Sequence, residues 1–196
     1  MSSDDHTTIT SLELEAKELA NALKFSGVKV AAFDMDQCLV AQHSRGRMTH
    51  QNLPKFLAKV TPDFLIAVPI LIEEGLNVAV ATHSDRAEYN WLQGRTPRTH
   101  LLGEDLVWAV LNACFPHRAA SFFVVAYNPR ARSWFPREEN RGKRLHVRLI
   151  AEHYGVDASE VILFDDDQDN VSLSQGFRAV KVNPAVGFRI SDLMPL

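Results

Sequence analysis

A short apolar run at residues 28–33 (Val-Lys-Val-Ala-Ala-Phe) breaks off into Asp34-Met35-Asp36, and this junction limits the possible folds more than any other stretch. Such a run reads as a strand buried on both faces, the habit of strands in parallel sheets. Side chains two apart on a strand point the same way. The end of one buried element therefore offers two carboxylates to one place. Two such charges repel, and each is costly away from water unless a cation or a proton compensates it. A hard divalent cation with oxygen ligands, most often Mg²⁺ where phosphate is handled, is the natural compensation. Taken alone, the spacing equally describes a polar turn after a strand.

The rest of the chain repeats the alternation. Residues 1–9 read as a mobile tail, and Thr10 with Glu13 as a capping box opening an amphipathic helix that stops near Gly27. After the first strand, residues 41–51 form a polar flap carrying His43, Arg45, Arg47 and His50. Thr61-Pro62-Asp63 starts a helix that Gly75 ends, and residues 76–81 make a second buried strand that runs into Thr82. Helix follows over 103–114 and a third strand over 121–127. A loop over 128–142 then interleaves Arg130, Arg132, Trp134, Phe135, Arg137 and Arg141. Charge plus stacking suits that loop to a phosphorylated ligand, as a lid or a grip; exposed loop with tucked aromatics is the plain reading. Helix over 142–154, a fourth strand over 161–164, a short helix and a last strand over 178–182 complete the chain. Strand–helix alternation throughout predicts one α/β domain over 10–196, a three-layer, Rossmann-like sandwich around a parallel sheet.

Composition narrows the partners. With 196 residues, 46% hydrophobic, the chain can bury a full core, and a formal charge of −3 argues against bulk nucleic-acid binding. Two cysteines, no apolar leader and no membrane-length apolar span predict a soluble, cytoplasmic protein without a membrane partner.

Ligands of open parallel sheets bind beyond the carboxyl ends of the strands. Asp34 and Asp36 end the first strand, Thr82 the second, and Asp165 and Asp166 the fourth; Lys143 opens the helix that leads into the fourth. Each has an ordinary structural explanation, as a cap, a surface lysine or a solvated acidic turn. Together and in this order they resemble the haloacid dehalogenase-like (HAD) superfamily of phosphohydrolases, over roughly residues 28–184. Asp34-Met35-Asp36-Gln37-Cys38 is similar to its first motif, with Cys38 departing where Thr or Val is usual. Residues 78–82 resemble the second, Lys143 the third, and Val161-Ile162-Leu163-Phe164-Asp165-Asp166 with Asn170 the fourth.

The resemblance implies a five-stranded parallel sheet with the first and fourth strands adjacent. It implies Asp34 as nucleophile, Asp36 as acid and base, and Thr82 and Lys143 on the transferred phosphoryl group. Mg²⁺ would be held by Asp34, the backbone carbonyl of Asp36, Asp166 and, directly or in support, Asp165. Phosphoryl transfer calls for this division of labour. Asp36 favours ester hydrolysis over dehalogenation, since a halide leaves without a proton. His43, Arg45, Arg47 and Trp134 are candidates for substrate binding.

The spacings leave room for no more than a small cap. An open site suits a phosphorylated macromolecule, or a small phosphorylated metabolite where a second copy in a homo-oligomer covers it. Two other readings compete. A receiver-type phosphoacceptor would place its Thr and Lys after all its acids, unlike the order here. A non-catalytic module binding phospho-ligands or proteins on the same scaffold would have lost at least one catalytic position, and none is missing.

Overall fold

The computed structural model describes residues 3–83, 99–126 and 141–193, with side chains from residue 11 onward. Five strands, β1 (Val30–Phe33), β2 (Asn77–Thr82), β3 (Phe122–Ala126), β4 (Val161–Asp165) and β5 (Arg178–Lys181), make one parallel sheet. Their order is β3-β2-β1-β4-β5, so β1 and β4 are neighbours as expected. The chain builds outward from β1 through β2 to β3, then returns to add β4 and β5 on the other side. The reversal falls between β1 and β4, where a crevice opens beyond the strand ends.

Alternation along the strands explains the layers. On one face, Ala31, Phe33, Val78, Val80, Ile162 and Phe164 share one cluster with residues of α1 (Ser3–Phe25), α2 (Leu53–Leu57), α3 (Pro62–Glu73) and α4 (Glu104–Cys114). Val30, Ala32, Ala79, Ala81, Val161 and Leu163 pack on the other against Val147, Ile150 and Ala151 of α5 (Arg144–Tyr154). Strands covered on both sides need apolar residues at every position, which is why β1 and β4 read as unbroken apolar runs.

Local chemistry sets the helix ends. Thr61 lies outside helical backbone and its side chain accepts from Phe64 N (3.3 Å), with Pro62 in the first turn. Gly155 closes α5 in the left-handed conformation, φ 64°. The N-terminal expectation needs correction. Helical backbone begins at Ser3, not at Thr10, so Thr10 and Glu13 lie within α1 and residues 3–9 of the expected tail are helical. A longer helix wins where Leu19 and Leu23 are fully buried and anchor its later turns. Nearly all of the basic-aromatic loop lies outside the described residues.

The end of β1 is braced by aromatics. The ring of Phe33, one residue before Asp34, lies 5.1 Å from Phe64, 5.0 Å from Phe164 and 5.1 Å from Phe188, with the first and last edge-on. The C-terminal segment supplies Phe188 and ties back to the first loop, where the Phe188 amide donates to Cys38 O (2.8 Å). Among the described residues, no helix is long and apolar enough to cross a membrane.

Candidate active site

Because Phe33 is in register with both Val80 and Phe164, β1, β2 and β4 end side by side. Asp34, Thr82 and Asp165 therefore reach one crevice, a cavity of ≈ 540 Å³ that they line with Asp36, Gln37, His43 and others. Lys143, the residue preceding α5, enters it from below.

Lys143 is the electrostatic centre. It is 1% exposed, and its ammonium donates to Asp34 Oδ1 (2.6 Å) and to the Ala81 carbonyl, with Asp165 Oδ2 at 3.0 Å. Burial alone would favour the neutral amine, but Asp34 and Asp165 outweigh it and raise Lys143 above its ordinary value. One ammonium is thus shared by two acids and can neutralise only one charge. Burial in turn pushes the Asp34 carboxyl up to about 8, with Asp165 and Asp36 adding to the shift and Lys143 opposing it. Asp166 is also raised, by burial and then by Asp165. The crevice is short of positive charge.

That shortage tests the fit of a metal. One oxygen each from Asp34, Asp165 and Asp166 lies within 4.8 Å of the others, an all-oxygen donor set with excess negative charge. Such a set suits a hard divalent cation. Asp36 contributes no carboxylate oxygen to this group. Asp165 is the most committed of the acids. Both of its oxygens accept from Asn170 Nδ2 (3.0 and 3.1 Å), Oδ1 accepts the Asp167 amide (2.8 Å), and Oδ2 faces Lys143. These bonds fix the orientation of Asp165, with Asn170 as its clamp.

The second acid is held differently. Asp36 Oδ2 accepts from Ser44 N (3.0 Å) and Ser44 Oγ (2.7 Å), with His43 Nδ1 at 2.7 Å. The flap that carries them is pinned at both ends: Ala41 N donates to Lys59 O (2.8 Å) and Leu101 N to Met48 O (2.9 Å). Met48 itself is buried.

Cys38 keeps its thiol inside, 3.4 Å from the Phe164 carbonyl, and burial raises it well above the usual thiol range. It packs the first loop onto β4.

Of the residues singled out in the sequence, Asp34, Asp36, Thr82, Lys143, Asp165, Asp166, Asn170 and His43 all line the cavity. Arg45 and Arg47 are exposed on the flap and do not line it. Trp134 lies outside the described residues. Three contributors went unnoticed in the sequence. Ser44 grips Asp36, Lys181 lines the cavity and donates to the Asp166 carbonyl, and His146 is buried with Nε2 3.0 Å from the Thr82 carbonyl. Lys181 ends β5 at the same edge as the other site residues, a signal the strand-end rule could have caught.

No protein-family model and no curated protein matches the chain. Three of the solved structures similar to it illustrate the likeness. A D,D-heptose 1,7-bisphosphate phosphatase from B. bronchiseptica, complexed with magnesium and phosphate, is 15% identical, with TM-score 0.49 over 81% of this chain and 95% of its own. A HAD family enzyme from Bacteroides thetaiotaomicron, complexed with magnesium and inorganic phosphate, is 13% identical, with TM-score 0.49 over 85% and 99%. The HAD domain of the effector protein Lem4 from Legionella pneumophila is 10% identical, with TM-score 0.43 over 85% and 91%.

Proposed function

We propose that the chain is a HAD-like phosphohydrolase that cleaves a phosphate monoester through an aspartyl-phosphate on Asp34, with Mg²⁺ as its cofactor. The observation that carries this reading is the convergence of Asp34, Thr82, Lys143, Asp165 and Asp166 on one crevice from four separate stretches of sequence. Asp34 Oδ1 is held by Lys143, which leaves Oδ2 as the oxygen to attack phosphorus. Asp36 protonates the departing alkoxide and then takes a proton from the water that opens the acyl phosphate. Lys143 remains charged and offsets negative charge on the phosphoryl oxygens, and the Thr82 hydroxyl orients them.

Asp34, the backbone carbonyl of Asp36 and Asp166 would hold Mg²⁺, with Asp165 in support. The cation supplies charge neutralisation for the donor cluster and for the phosphoryl group. Asp165 and Asn170 keep that donor set in place through their mutual hydrogen bonds.

The test is hydrolysis of p-nitrophenyl phosphate with and without Mg²⁺, in the wild type and in Asp34→Asn. Turnover that requires Mg²⁺ and is lost in the variant supports the reading. Undiminished turnover in Asp34→Asn would remove Asp34 as nucleophile. Silence of the wild type on aryl, sugar, peptide and nucleotide phosphates alike would favour a phospho-ligand-binding module.

A further inference from the structure

The last two residues of β2 outrun the strand beside them. Pairing with β1 ends where Phe33 meets Val80, whereas pairing with β3 continues until Thr82 meets Ala126. Ala81 and Thr82 therefore pass beyond β1 with a strand on one side only. Ladder hydrogen bonds fix a strand from both sides, and an end that loses one neighbour is freer to tilt. Thr82 nevertheless lines the cavity and is buried.

The start of α5 takes over where β1 stops. Lys143 donates to the Ala81 carbonyl, and His146 Nε2 lies 3.0 Å from the Thr82 carbonyl. Residues three apart share one face of a helix, so Lys143 and His146 offer two donors side by side to two successive carbonyls. A carbonyl oxygen only accepts, so the proton of the second bond belongs to Nε2. His146 is fully buried, and its ring meets that of His83 edge-on, with centroids 5.2 Å apart. A buried imidazole is costly unless hydrogen-bonded, and the bond it makes here goes to the backbone of a site residue.

Holding the carbonyl settles the hydroxyl. The carbonyl fixes the peptide plane that leaves Thr82, and with it the backbone from which the side chain departs. Threonine is branched at Cβ, so its χ1 has few choices once the backbone is set. On the phosphohydrolase reading above, we infer that His146 is a positioning residue whose hydrogen bond to the Thr82 carbonyl aims the Thr82 hydroxyl at the phosphoryl group. His146 is not among the residues that line the cavity, so it acts through Thr82. Lys143 serves the same strand end but also brings charge to Asp34. A change at His146 tests the aim of the backbone by itself.

A double-mutant cycle with Thr82→Val, which removes the hydroxyl and keeps the carbonyl, tests the idea. On p-nitrophenyl phosphate at saturating Mg²⁺, His146→Leu should lower kcat/KM about 10- to 100-fold, the scale of a misplaced catalytic group. In the Thr82→Val background the same change should cost no more than about 2-fold, because the hydroxyl it aims is gone. His146→Gln, which keeps an N–H donor on a chain of similar reach, should recover part of the loss. Losses that multiply in the double variant overturn the assignment in favour of a general structural role, and so does His146→Gln no better than His146→Leu. Should His146→Leu fail to fold, His146→Asn, polar but shorter, takes its place in the cycle. Nitrogen-15 NMR of the wild type needs no variant: a His146 ring protonated at Nδ1 alone overturns the assignment.

Binding separates the inference from the function on which it rests. Inorganic phosphate, titrated by calorimetry with Mg²⁺ present, should bind about 10-fold more weakly to His146→Leu than to the wild type, the worth of one hydrogen bond to a charged group. The double variant should bind it as Thr82→Val does. If the wild type hydrolyses no ester yet shows this pattern, the phosphohydrolase reading fails and the role of His146 stands. If the wild type turns over while kcat/KM and phosphate affinity ignore His146, the inference alone falls. A wild type that neither hydrolyses esters nor binds phosphate overturns both.

Discussion

Lys143 Nζ and Asp34 Oδ1 meet at 2.6 Å across 109 residues of sequence, in a place where the lysine side chain is 1% exposed. A buried pair of this kind contributes little net stability compared with apolar packing, but removing one member strands the other. Lys143→Met should therefore lower stability by about 3–5 kcal/mol, because Asp34 and Asp165 lose their shared counter-charge. Urea unfolding with and without Mg²⁺ measures it. Saturating Mg²⁺ should recover part of the loss; an unchanged midpoint would contradict the electrostatic role.

The same crowding gives Asp34→Asn an opposite pair of effects. The substitution removes the proposed nucleophile, and with it the turnover expected of the wild type. It also relieves repulsion from Asp165 and Asp36 while Lys143 keeps Asp165 at 3.0 Å. Its melting temperature in EDTA should equal or exceed that of the wild type. A variant that is both inactive and markedly less stable would show that Asp34 matters to the fold itself.

The pH dependence follows from the Asp34 shift. Its carboxyl is raised from 3.8 to about 8 in the folded chain, so between these values the folded state binds more protons than the unfolded one. The stability this contributes is fully present below about pH 4 and drains away as pH rises through about 8. Asp166 is shifted in the same direction. Melting temperature in EDTA should decline from pH 5 to pH 8 more steeply than in Asp34→Asn. The gain on adding Mg²⁺ should grow over the same interval, since metal displaces the bound proton. A Mg²⁺ effect independent of pH would exclude Asp34 as a ligand.

Asn170 offers a test confined to the metal. Its amide donates to both oxygens of Asp165 and is 4% exposed. Asn170→Ala frees Asp165 to turn and should weaken Mg²⁺ affinity about 10- to 100-fold, read by titration calorimetry. KM for substrate at saturating Mg²⁺ should stay close to that of the wild type. Unaltered Mg²⁺ affinity would detach Asn170 and Asp165 from the metal.

Gly187 tests the C-terminal brace. It has φ 73°, and a Cβ there would meet the Cys38 carbonyl and Thr61 Cγ2 at 2.6 Å each. Gly187→Ala should cost about 1–3 kcal/mol from strain and overpacking. It should also depress turnover, because the carbonyl it displaces lies two residues after Asp36. A neutral melting temperature would mean that the segment can slide aside.

Much of this was legible in the residues. Buried strands have one apolar code, so β1, β2 and β4 were visible within a residue or two, and polar residues at their ends pointed to the crevice. Lys143 could be found because it stands at the start of the helical pattern that leads into β4. What could not be read was partnership within the site. Ser44 looks like any loop serine, and its grip on Asp36 exists only because the flap folds back. Arg45 and Arg47 looked like phosphate ligands because charge is visible in a sequence while the facing of a loop is not. The start of α1 was missed for a related reason: a capping box inside a helix has the same letters as one at its start.

The parallel register that aligns the strand ends also bears on how the chain acquires its crevice. Asp34 is synthesised more than a hundred residues before Lys143 and Asp165. Parallel pairing of this separation closes large loops and is slow to nucleate. β1 has no second neighbour until β4 is made, so a growing chain holding only β1, β2 and β3 carries an unpaired edge. A chain stopped short of residue 161 carries Lys143 but lacks both the second neighbour of β1 and the acids that end β4.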